Sequence, residues 1–302
     1  MAKRLLTKAE GALLEQQLIA MARELAPVTV RGLYYQAVIS AALPFITKDH
    51  DGERSSYRAV QGRVQALRLE GAIEWDWVID PSRTDYSFER WEGPADFAAI
   101  APLYYRLDLW ANQLTRPLVL VEKEGQVPVY RGHADRFGVD VWACKGYSST
   151  THLRELAKSI RPHLEGGQTV QVIVCADFDP SGCDWPRAAE QEIRRHLALS
   201  SCDTCLSFSR ELVTLDDLHR LGPAVALRAA NPKDTRTRAW LDRHGFDANA
   251  EAAVEMDAIS PNTARERLER IYLDLFDGDI EHDRAQGREH QERIHSALAA
   301  LR

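Results

Sequence analysis

Apolar residues recur along the chain with two different periods, and the change from one to the other divides it. Over residues 6–24 they return every three or four positions, with Leu13, Leu14, Leu18, Ile19 and Met21 on one side. This spacing predicts an amphipathic helix. Pro27 ends that segment, and Thr29 stands where an N-cap would open a second helix over 30–42. The stripe of that helix is Leu33, Tyr34, Ala37, Val38 and Ala41. Tyr34 therefore belongs to the core side, whereas Tyr35 lies about 100° further round, nearer Arg31. A third helix is predicted over 54–70, with Val60, Val64 and Leu67 inward and Gly71 as its stop. Residues 73–80 then alternate as a strand does.

Beyond residue 115 the pattern becomes one of continuous apolar runs separated by helical stretches. The runs cover 117–123, 139–144 and 172–176, and each reads as a buried parallel strand. Helices are predicted between them, one ending near Phe137-Gly138, one over 152–163, and a return helix over 184–199. This order predicts a doubly wound parallel sheet. Residues 254–259 read as a further strand, and the tail from about residue 262 as helical. Three helices followed by a strand predict, for residues 1–85, a winged helix-turn-helix domain. Residues 86–115 form a connector with a helix over 94–114, and 116–302 hold the sheet domain with a helical C-terminal extension. The fold class is thus α/β.

The net charge of −7 argues against indiscriminate nucleic-acid binding but leaves room for a local basic surface. Apolar runs fall short of the ~20 residues that span a bilayer, and the N-terminus lacks a signal-peptide core. Together these point to a cytoplasmic protein without a membrane partner. Cys175 and Cys144 lie in predicted strands, as suits reduced thiols; Cys202 and Cys205 form a lone CxxC that reads as a surface loop.

Candidate chemistry sits at the ends of the apolar runs. Val121 leads into Glu122-Lys123-Glu124-Gly125, and Cys175-Ala176 into Asp177-Phe178-Asp179-Pro180-Ser181-Gly182. In parallel sheets ligands gather outside the carboxyl ends of the strands, so Glu122, Asp177 and Asp179 are expected at one edge. Carboxylates brought together need a cation, and a hard ion, Mg²⁺ or Mn²⁺ in its place, suits them. A DxD alone is equally an Asp-rich turn. The helix over 54–70 carries Arg54, Arg58, Gln61, Gln65 and Arg68 on one face, with Arg63 at its flank. Such a row can meet phosphates and base edges, or simply face solvent. Lys145-Gly146 and the hydroxyls after it could face a DNA phosphate or cap the next helix. Glu255 and Asp257 could add to the acidic site, but solvent-facing strand carboxylates are the expectation.

A strand ending in Glu, a crossover, and a strand ending in Asp-x-Asp resembles the Toprim domain of topoisomerases, primases and some nucleases. The wording of residues 121–125 with 177–182 resembles more narrowly the A subunit of topoisomerase VI and its relative, the meiotic double-strand-break protein. Arg31-x-x-Tyr34-Tyr35 is similar to the nucleophile motif of that family, which usually has an acid where this chain has Gly32. The resemblance implies a type IIB topoisomerase A-subunit-like protein cleaving double-stranded DNA by Mg²⁺-dependent transesterification. Tyr35 would form a 5′-phosphotyrosyl link, Arg31 would steady the phosphate, and Glu122, Asp177 and Asp179 would hold the metal. It further implies a homodimer in which the tyrosine of one subunit meets the metal of the other. That family works with a separate ATPase subunit; with no Walker-type P-loop of its own, this chain is expected to be either one subunit of such a larger machine or a shortened, stand-alone form. On the same scaffold a Toprim nuclease would use water in place of Tyr35, and a third reading is a non-catalytic DNA-binding protein.

Overall fold

The computed structural model describes residues 6–47, 56–79, 89–144, 150–200, 203–221 and 228–299 of the chain. Helix α1 (Lys8–Leu25) starts at Thr7, whose hydroxyl accepts from Glu10 N while the Glu10 carboxylate accepts from Thr7 N. This reciprocal pair satisfies two of the orphan donors of a helix start. Strand β1 (Val28–Thr29) runs directly into α2 (Val30–Ile39), opened as predicted by Thr29, whose hydroxyl accepts from Gly32 N at 2.9 Å. Helix α3 (Ser56–Leu69) packs on α1 and α2 through Val60, Val64 and Leu67.

Two expectations fail in this region. Of the alternating stretch 73–80, the described residues, which run to Ile79, are mostly turn, and only β2 (Val78–Ile79) is extended, pairing in parallel with β1. Its alternation instead reflects a loop that buries Ile73 and Val78 and leaves Trp75 60% exposed. Nor is Tyr35 outside the core, although it lies off the Tyr34 stripe: it is 2% exposed, against 5% for Tyr34, and the two rings pack edge to face. The face opposite the helix stripe is covered by another part of the chain, which periodicity within one helix does not reveal.

Helix α4 (Pro94–Tyr104) is shorter than predicted, and the chain beyond it reaches β3 through a loop. The sheet consists of β3 (Thr115–Val121), β4 (Asp140–Ala143), β5 (Thr169–Cys175) and β6 (Leu206–Leu212), all parallel in the order β4-β3-β5-β6. Strand β6 was not anticipated, because its middle is half-exposed and polar, as befits an edge.

Both faces are covered, which is why the central strands read as unbroken apolar runs. Leu118, Leu120, Val172 and Val174 point to one face, against α6 (Thr150–Glu165) and α7 (Pro180–Leu197). Val119, Val121, Ile173 and Cys175 point to the other, toward α5 (Val127–Ala134) and α10 (Pro261–Leu275). That second core runs on without a break into the N-terminal helices. Arg265 of α10 ties the two parts, donating to the carbonyls of Leu25, Ala26, Pro27 and Val129. The remaining elements are α8 (Leu215–Leu221), β7 (Arg228–Ala229), α9 (Thr237–His244), β8 (Glu251–Ala253) and α11 (Ile280–Leu298). Of the strand predicted over 254–259, only a single bridge from Val254 to Phe178 forms, and Met256–Ala258 is a 3₁₀ turn.

Candidate metal and nucleic-acid site

The carboxyl edge of the sheet collects the residues that sequence reading singled out. Glu122 follows the last residue of β3, and its N–H donates to Cys175 O at 2.9 Å, extending the ladder by one step. Its carboxylate accepts from Asp177 N at 2.9 Å. Asp179 caps α7, its Oδ1 accepting from Gly182 N at 2.7 Å and from Ser181 Oγ at 2.8 Å. Gly182 has to be glycine: a Cβ there would lie 2.1 Å from Asp177 O and 3.2 Å from Glu122 Oε2. The start of α7 is thereby pressed against both strand ends. Helix N-termini favour negative charge, so this contact helps hold the acids.

Asp177 faces a different environment. Its Oδ1 accepts from Met256 N at 2.8 Å, and its Oδ2 lies 2.9 Å from Lys123 Nζ. Lys123 Nζ is also 3.4 Å from Glu255 and 3.5 Å from Asp257. Glu255 and Asp257 are thus not solvent-facing, as expected from sequence; they are 6% and 4% exposed. The 3₁₀ turn that carries them folds in against α2 and the strand ends. Gln126 Nε2 donates to Asp257 Oδ1 at 2.7 Å. Burial pushes the Asp257 carboxyl up, against the pull of Lys123 and Arg31. Burial alone would lower Lys123, but Asp177, Asp257 and Glu255 outweigh it and hold its ammonium charged.

Helix α2 reaches the same cluster. Arg31 Nε donates to Glu255 Oε2 at 3.0 Å, its Nη2 bonds the same oxygen, and Asp257 lies 3.7 Å from Nε. The guanidinium stands 5.8 Å from the centroid of the Tyr35 ring. Tyr35 hydrogen-bonds Glu255; burial and that carboxylate push its hydroxyl up, more than Arg31 pulls it down. Gly32 leaves no room for the acid that the resemblance leads one to expect, since a Cβ would sit 2.9 Å from Val28 Cγ2. The acids beside Arg31 come instead from the far end of the chain.

Glu122 is the exception in this network. Burial first, then Asp177 and Asp179, raise its carboxyl from 4.5 to about 7. Among the described residues no group of three or more His, Cys, Asp or Glu side chains is placed to hold a metal ion. Mg²⁺ commonly takes only one or two carboxylates and keeps several waters, so this does not conflict with a site on two of the three acids. The donor set is all oxygen, and the crowding that raises Glu122 is the strain a hard cation would relieve.

Arg210 of β6 was missed by sequence reading. It donates to the carbonyls of Ala176 and Asp177 at 3.2 and 3.3 Å, to Val213 O at 2.9 Å, and also to Gly182 O. It fixes the backbone that presents Asp177 and Asp179. Nothing local in an edge strand marks such an arginine.

Arg58, Gln61 and Gln65 are exposed along α3, and Arg68 is partly covered. Arg68 lies against Trp75, 4.3 Å from its ring centroid, and Arg63 is turned to Glu15 of α1. Arg54 and Lys145 lie outside the described residues. A cleft of about 670 Å³ separates α3 from the strand-end loop and runs from Trp75 to Lys123 and Asp257. Among the described residues no helix is long and apolar enough to cross a membrane.

The site is therefore that of an α/β protein with an acidic strand edge, covered by an N-terminal helical layer. Compared with models of known protein families, with curated proteins and with solved structures, the chain matches none.

Proposed function

We propose that the chain is a DNA-cleaving enzyme of the Toprim type, built like the A subunit of a type IIB topoisomerase. Its N-terminal helices would act as a winged-helix reader of double-stranded DNA. The observation that carries this reading is the meeting of the two candidate motifs within one chain. Arg31 and Tyr35 of α2 share Glu255, and Lys123 links Glu255 to Asp177 at the sheet edge.

In this reading Glu122 and Asp179, with Asp177 beside them, would hold Mg²⁺ or Mn²⁺, which would offset charge on the scissile phosphate and leaving oxygen. Tyr35 would supply the attacking oxygen and pass its proton to Glu255, its hydrogen-bond partner, while the phosphorus–O3′ bond breaks and the 3′ oxygen leaves as a hydroxyl with a proton from water. Arg31 is within reach of a phosphate drawn to Tyr35 and offers the fork that suits two phosphate oxygens. The exposed side chains of α3 contact the DNA by its phosphates and base edges. A homodimer and a separate ATPase subunit belong to the proposal as implied partners.

One observation favours a second reading, hydrolysis by water. Tyr35 is 2% exposed and its hydroxyl is held well above its ordinary pKa. In the transesterase the 256–258 turn must move aside to free it; in a nuclease it need not move. The experiment is cleavage of plasmid DNA with Mg²⁺ or Mn²⁺, followed by denaturation and recovery of protein-linked DNA. The proposal expects protein on 5′ ends and no cleavage by Asp177→Asn or Asp179→Asn. Free ends alone would select the hydrolytic reading, and full cleavage by either variant would remove the site from the reaction.

A further inference from the structure

We infer that the cleft beside α3 binds an unpaired nucleotide of the DNA strand, with Trp75 as its stacking platform. The inference rests on the reading of the chain as a DNA-acting protein and names the form of DNA it takes. Trp75 sits in the loop between α3 and β2 and is 60% exposed, the most exposed aromatic residue among the described residues. An isolated tryptophan in that position costs apolar exposure without any packing return. It is not isolated: it lines the cleft together with Gln61, Gln65 and Arg68 of α3 and Lys123 of the strand-end loop.

The shape decides between a paired and an unpaired base. Major-groove readout needs a helix that protrudes into a groove about 12 Å wide. Here Gln61 and Gln65 form one wall of a concavity of about 670 Å³, the size that takes a small ligand rather than a duplex. Amide side chains on such a wall can pair with the exposed edge of a base, and every base has a face that stacks on an aromatic ring. Arg68 completes the arrangement. Its guanidinium lies 4.3 Å from the Trp75 centroid and donates to Trp75 O at 3.0 Å, which fixes the loop that holds the ring. Its Nε is buried with no hydrogen-bond partner among the described residues, which leaves the guanidinium with donor capacity unused beside the ring. An extrahelical base stacked on Trp75 would bring its flanking phosphates toward Arg31 and Lys123, which line the same cleft.

The test uses duplexes carrying one extrahelical 2-aminopurine, the same duplexes fully paired, and free 2-aminopurine nucleoside monophosphate. Binding is measured in EDTA, so that cleavage plays no part. The bulged duplex is expected to bind roughly 5- to 150-fold more tightly than the paired one, the range that one base–aromatic stack gives. The probe's fluorescence should be quenched on binding. Trp75→Ala should remove the preference and the quenching, and Trp75→Phe should keep most of both. Equal affinity for paired and bulged duplexes would overturn the inference. So would a preference that survives Trp75→Ala, or a free mononucleotide that competes at the same concentration as the bulged duplex. Loss of the cleavage reading has a different signature: no cutting of any DNA when metal is added, whatever the binding preference.

Discussion

The acidic edge of the sheet has two halves that solve the same problem differently. In one, Asp177, Glu255 and Asp257 surround Lys123, and Arg31 closes the group from α2. In the other, Glu122 and Asp179 meet the first turn of α7 and rest on backbone N–H groups. The first half carries its own cations. The second leaves Glu122 with a carboxyl raised to about 7, a charge held off by burial and by its neighbours. Negative charge that the fold has already neutralised does not call for a metal, whereas the half that is left short does. On this difference the proposed cation would sit at Glu122 and Asp179 with Asp177 beside them, and the Lys123 group would act as a structural clamp between the helical layer and the sheet.

The largest expected effect comes from breaking the clamp. Lys123→Met leaves Asp177, Glu255 and Asp257 close together with Arg31 as the nearest cation. It should destabilise the protein by about 2–3 kcal/mol in urea unfolding, less than the loss of one partner of a fully buried ion pair because the Lys123 side chain is 31% exposed. A loss under about 1 kcal/mol would show that the two halves do not differ as described.

The second prediction reverses the sign. Glu122 has a folded pKa of about 7 against 4.5 for the free group, so the folded protein holds more protons between these values. Stability should therefore fall as pH rises from about 4.5 to 7 and level off above, because the folded state must give up a proton it favours. Glu122→Gln should flatten this fall and stabilise the metal-free protein at pH 8, on the order of 1–2 kcal/mol. The same variant should lose metal-dependent cleavage. Unfolding curves across pH 4.5–8 check it; a variant less stable at pH 8 would place Glu122 among the satisfied acids.

Asp257→Asn should do less than either. Lys123 keeps Asp177 and Glu255, and the amide oxygen can still accept from Gln126, so the change should stay within about 1 kcal/mol. A larger loss would make Asp257 the centre of the clamp. Arg58, outside both halves, serves as the reference. Arg58→Ala should leave stability near wild type and flatten the slope of log K for DNA against log salt by about one unit.

What the sequence showed and what it hid follow the same division. Glu122, Asp177 and Asp179 were legible because each follows an apolar run that can only be a strand buried on both faces. The Thr29 cap, the parallel order and the C-terminal helices were legible for similarly local reasons. Glu255 and Asp257 were not. Their alternation with Val254, Met256 and Ala258 looks like a strand with one wet face, and their burial depends on α2, 224 residues away in the pairing of Arg31 with Glu255. Tyr35 was placed near Arg31 but off the core stripe of α2, and its burial was hidden for the same reason: the turn that covers it is remote in sequence. Strand β6, with Ser207, Ser209 and Arg210 in its middle, carries too little apolar signal to stand out.

The central claim is that Tyr35 and the acidic edge act together on DNA, and Tyr35→Phe tests it most directly. The substitution keeps the ring in its packing with Tyr34 and removes one buried hydroxyl bonded to Glu255, so stability should change by about 0.5–1.5 kcal/mol. Cleavage of plasmid DNA with Mg²⁺ or Mn²⁺, and the protein-linked 5′ ends, should both vanish, while Tyr34→Phe keeps them. Cutting by Tyr35→Phe at a near wild-type rate would contradict the account and leave the acidic edge as the site of a hydrolytic nuclease.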